Sequence, residues 1–379
     1  MMALPPALAV IAESDWIFEN SRESARFMKT YSNIDLFKFI AAIFVVAIHT
    51  DPLANCKGAI FYYPLNMFFL TAVPFFFLST GFLLGKKCFA GDAVILSDEG
   101  RISYLKGYLL KMIKLYLIWT AVYMPLTVKS YIDWGYSLRY AVKDFFTGLI
   151  FVGQHYNSWI LWYILSTVYT VALIIIMAKK KYSTEAILAA GFAFYLISIG
   201  ADWIVNEEHT SAVLLFLERI IGETVESGRI FRGFLYIPMG MYISKHEGEA
   251  NAPVLALVSI AAFVTGSVFY ENMIVLRFIL PVLMFCFFQL LLKVRFDHPE
   301  IAKFLRRNST VIYFIHLWVW SMYYYIVYGK KTHGFYVFLF TALITLVISM
   351  TYVCLRYYLL PKLKCRRCEN ESAAGEDNH

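Results

Sequence analysis

The chain has 379 residues, of which 60% are hydrophobic, 18% aromatic and only 16% charged. With a mean hydropathy of +0.60, it carries too little polar surface for a water-soluble domain of this length. The composition therefore predicts a polytopic membrane protein. The formal net charge of +7 comes mainly from bases beside the apolar segments, which is typical of juxtamembrane anchoring, so no nucleic-acid partner is expected.

About ten apolar segments have the length needed to cross the hydrocarbon core of a bilayer. They lie at residues 34–52, 60–85, 107–127, 159–178, 185–204, 230–244, 253–270, 273–292, 309–328 and 335–360. Residues 140–152 and 212–221 are too short or too charged to span and predict interfacial or re-entrant helices. We therefore predict an all-α fold in which the transmembrane helices form one bundle with short interfacial helices.

The same pattern divides the chain into three regions. Residues 1–31 are expected to form a cytoplasmic or interfacial segment, residues 32–361 the transmembrane domain, and residues 362–379 a basic and then polar tail. Lys and Arg concentrate in alternate loops and in the tail, which predicts a multi-pass protein of the cytoplasmic membrane with both termini inside. Cys365 and Cys368 have no second ligand pair nearby, so no metal site is expected.

The first apolar segment contains ionisable side chains. Lys38 and His49 are eleven residues apart, so they share one face of a helix. Their separation along the axis is about 16 Å. Asp35, three residues before Lys38, is placed to pair with it. Ionisable groups inside a membrane helix are costly and by default indicate a site. The alternative is that Asp35 and Lys38 reach the interface while His49 caps the helix end.

Ser79 and Thr80 lie in the second segment, between Pro74 and Gly81. Proline and glycine weaken the helical ladder, and free backbone groups at membrane depth persist only against protein or a water-filled cavity. The pattern thus indicates a pocket wall. A plain kinked helix, whose hydroxyls bond their own carbonyls, is the alternative.

Lys111 and Lys114 begin the third segment, where two cations can hold the phosphates of a soluble donor or simply anchor the helix at the cytoplasmic face. Tyr313 and His316 lie in the ninth segment. A second imidazole at this depth either lines the same cavity as His49 or makes an interhelical hydrogen bond, and spacing alone leaves both open.

Taken in order, six stretches resemble a known family across residues 32–360. They are Ile34-Asp35-Leu36-Phe37-Lys38 through His49, Pro74-Phe75-Phe76-Phe77 through Gly81-Phe82, the Lys111 and Lys114 pair, Leu161-Trp162-Tyr163, Gly240-Met241-Tyr242, and Ser309 through His316. The sequence in these stretches is similar to the bacterial membrane acyltransferases called acyltransferase family three, which typically have ten core spans.

The resemblance implies transfer of an acyl group, most commonly acetyl, from cytoplasmic acyl-CoA to a hydroxyl, often on a surface or exported glycan. His49 corresponds to the essential histidine of the family, and we expect it to act as general base or as the carrier of a covalent acyl group. Lys38 and Asp35 are expected to fix the local charge. The donor site is expected to draw on Lys111, Lys114, Thr80, Ser79, His316, Tyr313 and Trp162, with acyl-CoA as a substrate and no permanently bound cofactor.

Three lysines depart from the family pattern, since Lys38, Lys111 and Lys114 stand where arginine is usual. A lysine is a point charge and does not offer the bidentate fork of arginine. The sequence also resembles the membrane portion of vancomycin-resistance-type serine racemases, in which a related module is thought to serve amino-acid uptake. No racemase domain is expected after residue 361, so the alternative function is a stand-alone transporter for a small solute such as serine.

Overall fold

The computed structural model describes residues 31–88, 98–155, 157–224, 226, 228–328 and 332–360, and these contain helices and connecting turns without a strand. The predicted all-α fold is therefore confirmed. The expected N-terminal segment before residue 31, and Cys365 with Cys368 in the expected tail, lie outside the described residues.

Thirteen α-helices are described in this part of the chain. They are α1 Ser32–Thr50, α2 Tyr62–Leu70, α3 Ala72–Cys88, α4 Asp98–Asp133, α5 Leu138–Thr147, α6 Leu161–Lys179, α7 Thr184–Asn206, α8 Ala212–Thr224, α9 Gly233–Lys245, α10 Ala252–Val268, α11 Met273–Lys293, α12 Pro299–Met322 and α13 Phe335–Cys354. A 3-10 turn, Arg229–Phe231, precedes α9. Helices α5, α7, α10 and α11 each begin after a Ser or Asn whose side chain accepts a bond from the first-turn backbone, which satisfies one otherwise unpaired amide.

Seven helical segments in the described ranges are long and apolar enough to cross a membrane on their own. The other three predicted spans are also helical but fall short. Helix α9 has 13 residues and α10 has 17, whereas α12 starts with charged residues that include Lys303, Arg306 and Arg307. The polytopic membrane fold is confirmed, and the predicted number of spans is approximate.

Helices α3 and α9 cross so closely that their backbones are in contact, because glycines lie at the crossing point. A Cβ atom on Gly81 would lie 1.9 Å from the carbonyl oxygen of Ile237, and one on Gly240 would lie 2.2 Å from that of Leu78. Small residues allow such close approach, which is how membrane helices gain packing energy without a hydrophobic driving force between them. Gly81 is therefore a packing residue, and α3 stays helical through it.

Helices α1 and α12 lie side by side in the same direction. Asp35 on α1 meets Arg306 on α12 near one end, and the rings of His49 and His316 meet near the other. Ala42 and Val46 pack on Ile312 between these contacts. This pairing, together with α3, α4 and α6, surrounds the candidate site.

Candidate active site

A cavity of about 150 Å³ opens between α1, α3, α4, α6 and α12. Its lining combines three kinds of side chain. The bases are Lys38, Arg306 and Arg307, the hydroxyl-bearing residues are Thr80, Tyr108, Tyr163, Ser309, Thr310, Tyr313 and Tyr357, and the apolar residues are Phe76, Met112, Leu115, Ile164 and Phe314. A pocket with a charged part, hydroxyls and an apolar wall suits an amphipathic ligand that carries negative charge at one end.

The three bases carry more charge than the carboxylate beside them. Arg306 pairs with Asp35 at 3.3 Å, with 46% and 15% of the respective side chains exposed. Lys38 is partly buried and makes no hydrogen bond or ion pair with any residue in the described part of the chain. Arg307 lies over the ring of Tyr357 at 3.5 Å. The expected pair of Asp35 with Lys38 is thus replaced by a pair with Arg306, and a net positive charge faces the cavity.

Two hydroxyls meet within the cavity wall. Thr80 Oγ1 and the Tyr163 hydroxyl are 3.2 Å apart, and Tyr108 also interacts with Thr80. Thr80 faces this cluster because Gly81, its neighbour on α3, faces α9. Such a group of hydroxyls can donate hydrogen bonds to a carbonyl oxygen that gains negative charge during a reaction.

His49 and His316 form a stacked pair whose ring centroids are 5.4 Å apart. Trp159 stacks on His49 at 5.9 Å. His316 is buried, and its Nδ1 lies 3.0 Å from the carbonyl oxygen of Ile312, one turn earlier on α12. Because a carbonyl only accepts, Nδ1 carries the proton of this bond, and Nε2 holds a lone pair in the neutral ring.

Nε2 of His316 is also buried and has no hydrogen-bond partner in the described residues, whereas the His49 side chain is partly exposed. The sequence left open whether His316 lines a cavity with His49 or bonds another helix; in the structure His316 stacks on His49, and its hydrogen bond stays within its own helix.

The ring of Tyr313 lies between the cavity and the histidines. Tyr313 lines the cavity, its centroid is 6.4 Å from that of His316, and its hydroxyl donates to the carbonyl of Ile160 at 2.7 Å. Neither histidine belongs to the cavity lining itself. Tyr313 is therefore a cavity-lining residue that also reaches the histidine pair.

Besides His316, four residues expected in the donor site lie outside the cavity lining. Trp162 is buried between Phe77 and the guanidinium of Arg232. Ser79 is fully buried, and its Oγ has no hydrogen-bond partner among the described residues. Lys111 is partly buried and Lys114 is exposed, while Tyr108, Met112 and Leu115 are the α4 residues that face the cavity. The contribution of these four residues to donor binding stays a prediction.

Sequence reasoning missed Arg306, Arg307, Tyr108 and Tyr163 as site residues. The two arginines look like ordinary positive-inside anchors, because bases next to a span are common. Helical spacing gives no signal for them either, since positions ten and nine residues before His316 lie about 80° and about 180° away from its face of the helix.

The fold and site define a helical membrane protein in which a basic, hydroxyl-bearing cavity leads toward a pair of imidazoles. The chain belongs to acyltransferase family three, whose sequence model, described as an acyltransferase domain, matches residues 31–354. The resemblance drawn from the six motif stretches is thus confirmed.

The curated proteins that the chain resembles are racemases. An amino-acid racemase of Enterococcus faecalis is 27% identical over 218 residues, which cover 57% of this chain and 28% of that protein. A serine/alanine racemase of Enterococcus gallinarum is 26% identical over 338 residues, which cover 85% of this chain and 45% of that protein. The chain spans less than half the length of these relatives. No solved structure matches it.

Proposed function

We propose that this protein is an integral membrane O-acyltransferase that moves an acyl group, most simply acetyl, from cytoplasmic acyl-CoA to a hydroxyl of a surface or exported glycan. The observation that carries this proposal is the cavity whose bases, hydroxyls and apolar wall lead toward the stacked His49 and His316. Family membership supports acyl transfer as the class of reaction.

The donor is expected to enter from the basic end of the cavity. Lys38, Arg306 and Arg307 supply positive charge for the phosphates of coenzyme A, and arginine adds fork-like hydrogen bonding to phosphate oxygens. The apolar wall formed by Met112 and Leu115 suits the pantetheine arm. This end then faces the cytoplasm, where acyl-CoA is made, which agrees with termini inside and a location in the cytoplasmic membrane.

Thr80 and Tyr163 are expected to bind the thioester carbonyl. As the tetrahedral intermediate forms, its oxygen becomes negative, and hydroxyl donors held 3.2 Å apart can stabilise it. Removal of one such donor typically lowers the rate by about 10²–10³.

His49 is expected to act as the general base. Its imidazole takes the proton of the acceptor hydroxyl, the oxygen attacks the carbonyl carbon, and the carbon–sulfur bond breaks when the intermediate collapses. The imidazolium then returns the proton to the coenzyme A thiolate, so proton and charge balance. General-base catalysis of this kind typically contributes about 10²–10⁴ in rate. His316, stacked on His49, holds the ring in place and keeps its own Nε2 available to the same region.

A covalent route uses the same residues. In that route His49 attacks the thioester, coenzyme A leaves, and the acyl-imidazole is then attacked by the acceptor hydroxyl. Incubation with radiolabelled acetyl-CoA without acceptor distinguishes the routes, because only the covalent route leaves label on the protein that is lost in His49→Ala.

The proposal is tested by comparing surface glycans from cells with the wild-type protein, the His49→Ala variant and no protein. We expect the wild type alone to add the mass of acetyl groups to a glycan, while His49→Ala inserts and folds normally but adds none. Acylation near the wild-type level in His49→Ala would refute the assignment of the base.

A second candidate function, uptake of a small solute such as serine, is favoured by the racemase names of the relatives. Accumulation of labelled serine in vesicles that contain the purified protein, without transfer of label from acyl-CoA, would support uptake over acyl transfer. Transfer of the acyl group without serine accumulation would support the enzyme.

A further inference from the structure

A second charged cluster lies outside the cavity lining, where α7 meets α11 and the residues before α9. Its centre is Asp202 on α7, which is 8% exposed and receives two bonds from Arg277 on α11, at 2.9 Å from Nε and 2.5 Å from Nη2. Asn206 donates to the other carboxylate oxygen at 3.1 Å. Both oxygens of Asp202 are therefore occupied by partners other than Arg232.

Arg232, just before α9, adds a second guanidinium to this one carboxylate. Its Nη2 is 3.9 Å from Asp202, too far for a hydrogen bond, and its Nε is buried without a partner in the described part of the chain. The side chain lies over the ring of Trp162 at 5.8 Å and is 19% exposed.

A half-matched guanidinium inside a membrane protein is costly, because a charge away from water needs an opposite charge and filled hydrogen bonds. Asp202 pairs closely with Arg277, so within the described part of the chain Arg232 shares a carboxylate that is already bonded. Arginine binds an oxygen anion with planar, paired hydrogen bonds.

The position of Arg232 relates it to the reacting groups. Trp159, which stacks on His49, and Trp162, which carries Arg232, are three residues apart on the first turn of α6 and the residues before it. Two ring contacts and a three-residue step along the chain thus connect Arg232 with His49.

We propose that Arg232 forms a subsite for an anionic oxygen group, a carboxylate or a phosphate, carried by the acceptor. The inference rests on the proposed function, since it names a chemical feature of the molecule whose hydroxyl His49 activates. It selects acceptors that bear a negative charge near the hydroxyl, such as an acidic sugar or a lipid-linked phosphate, over neutral glycans.

The test measures binding of defined probes to the purified full chain in nanodiscs by isothermal titration calorimetry. The probes are a glucuronate oligosaccharide, a polyprenyl phosphate and L-serine, with a neutral glucose oligosaccharide as the reference. We expect at least one anionic probe to bind the wild type more tightly than the neutral one, and the probe that binds identifies the source of the anion.

Arg232→Gln is expected to weaken binding of that probe by about tenfold or more, because a charge-assisted hydrogen bond is lost. Arg232→Lys keeps the charge and is expected to retain part of the affinity. Arg139→Gln, at an exposed base on α5, is the matched control and is expected to bind as the wild type does. Unchanged acyl-CoA binding in each variant reports that the fold is intact.

Equal binding of the neutral and anionic probes, or unchanged binding in Arg232→Gln, would overturn the subsite. This binding test is independent of the test of the proposed function. His49→Ala is expected to bind the anionic probe and to lose acyl transfer. Continued acyl transfer in that variant would refute the assignment of His49 as the general base, but it would leave the assignment of the Arg232 subsite unchanged.

Discussion

Replacement of Arg306 by Gln tests the assignment of the basic end of the cavity to the donor phosphates. A hydrogen bond to a charged group is worth about 1.5–3 kcal/mol, and the lower end applies to a side chain as exposed as this one. Arg306 is 46% exposed, so we expect a loss of about 1.4 kcal/mol, or about tenfold in the dissociation constant for acetyl-CoA.

The fold is expected to survive this change. The ion pair with Asp35 is partly exposed on the arginine side, and such pairs contribute about 0–1 kcal/mol to stability. Lys38 also acts on Asp35 electrostatically, so the carboxylate keeps a cation nearby.

The assay compares two ligands on two variants by isothermal titration calorimetry. Acetyl-CoA carries the phosphates, whereas acetylpantetheine has the same thioester arm without them. Arg306→Gln is expected to weaken the binding of acetyl-CoA and to leave the binding of acetylpantetheine unchanged. Arg295→Gln, an exposed base between α11 and α12 that lies outside the cavity lining, is the control and should change neither. If Arg306→Gln weakened the binding of both ligands equally, or if the two variants changed acetyl-CoA binding equally, the reasoning would be refuted.

Three further outcomes follow from the helix contacts and the cavity. Gly81→Ala should lower the thermal unfolding temperature, because its Cβ would lie 1.9 Å from the carbonyl oxygen of Ile237 and the overpacking costs about 1–3 kcal/mol. Gly200→Ala is the control, since a Cβ there would have no atom within 4 Å, and it should not lower this temperature. Equal Tm values for the two variants would contradict the packing argument. Tyr163→Phe should reduce kcat about 10²-fold or more with little change in KM for acyl-CoA in steady-state kinetics, and a pure KM effect would argue against oxyanion stabilisation. Lys114→Gln tests the predicted donor-site role of this exposed side chain, which lies outside the cavity lining: weaker acetyl-CoA binding in a titration would support the role, and unchanged binding would refute it.

Hydropathy and motif order were sufficient to predict the membrane fold and the family. The apolar segments are set by local composition, so a bilayer-length run such as residues 273–292 is readable without tertiary information. Hydropathy does not predict the start of α12, which is helical from Pro299 although its first turns are charged. Helix formation there depends on packing against other helices, which hydropathy does not report.

The site was harder to predict because its key contacts join distant parts of the chain. Lys38 is three residues from Asp35, yet the carboxylate pairs with Arg306, which is 271 residues away. Spacing on one helix identifies which side chains share a face but gives no information on the opposing helix. For the same reason, spacing left open whether His316 lines a cavity with His49 or bonds another helix.

The position of Tyr313 has a consequence for the electrochemical gradient across the membrane. Its ring is part of the cavity wall and lies 6.4 Å from that of His316, and its hydroxyl donates to the carbonyl of Ile160, just before α6. Water and ions in the cavity therefore meet an aromatic side chain in the wall beside His316. A cell can keep such a bundle in its energised membrane without leakage of protons, provided that this ring moves only when a donor molecule occupies the space in front of it.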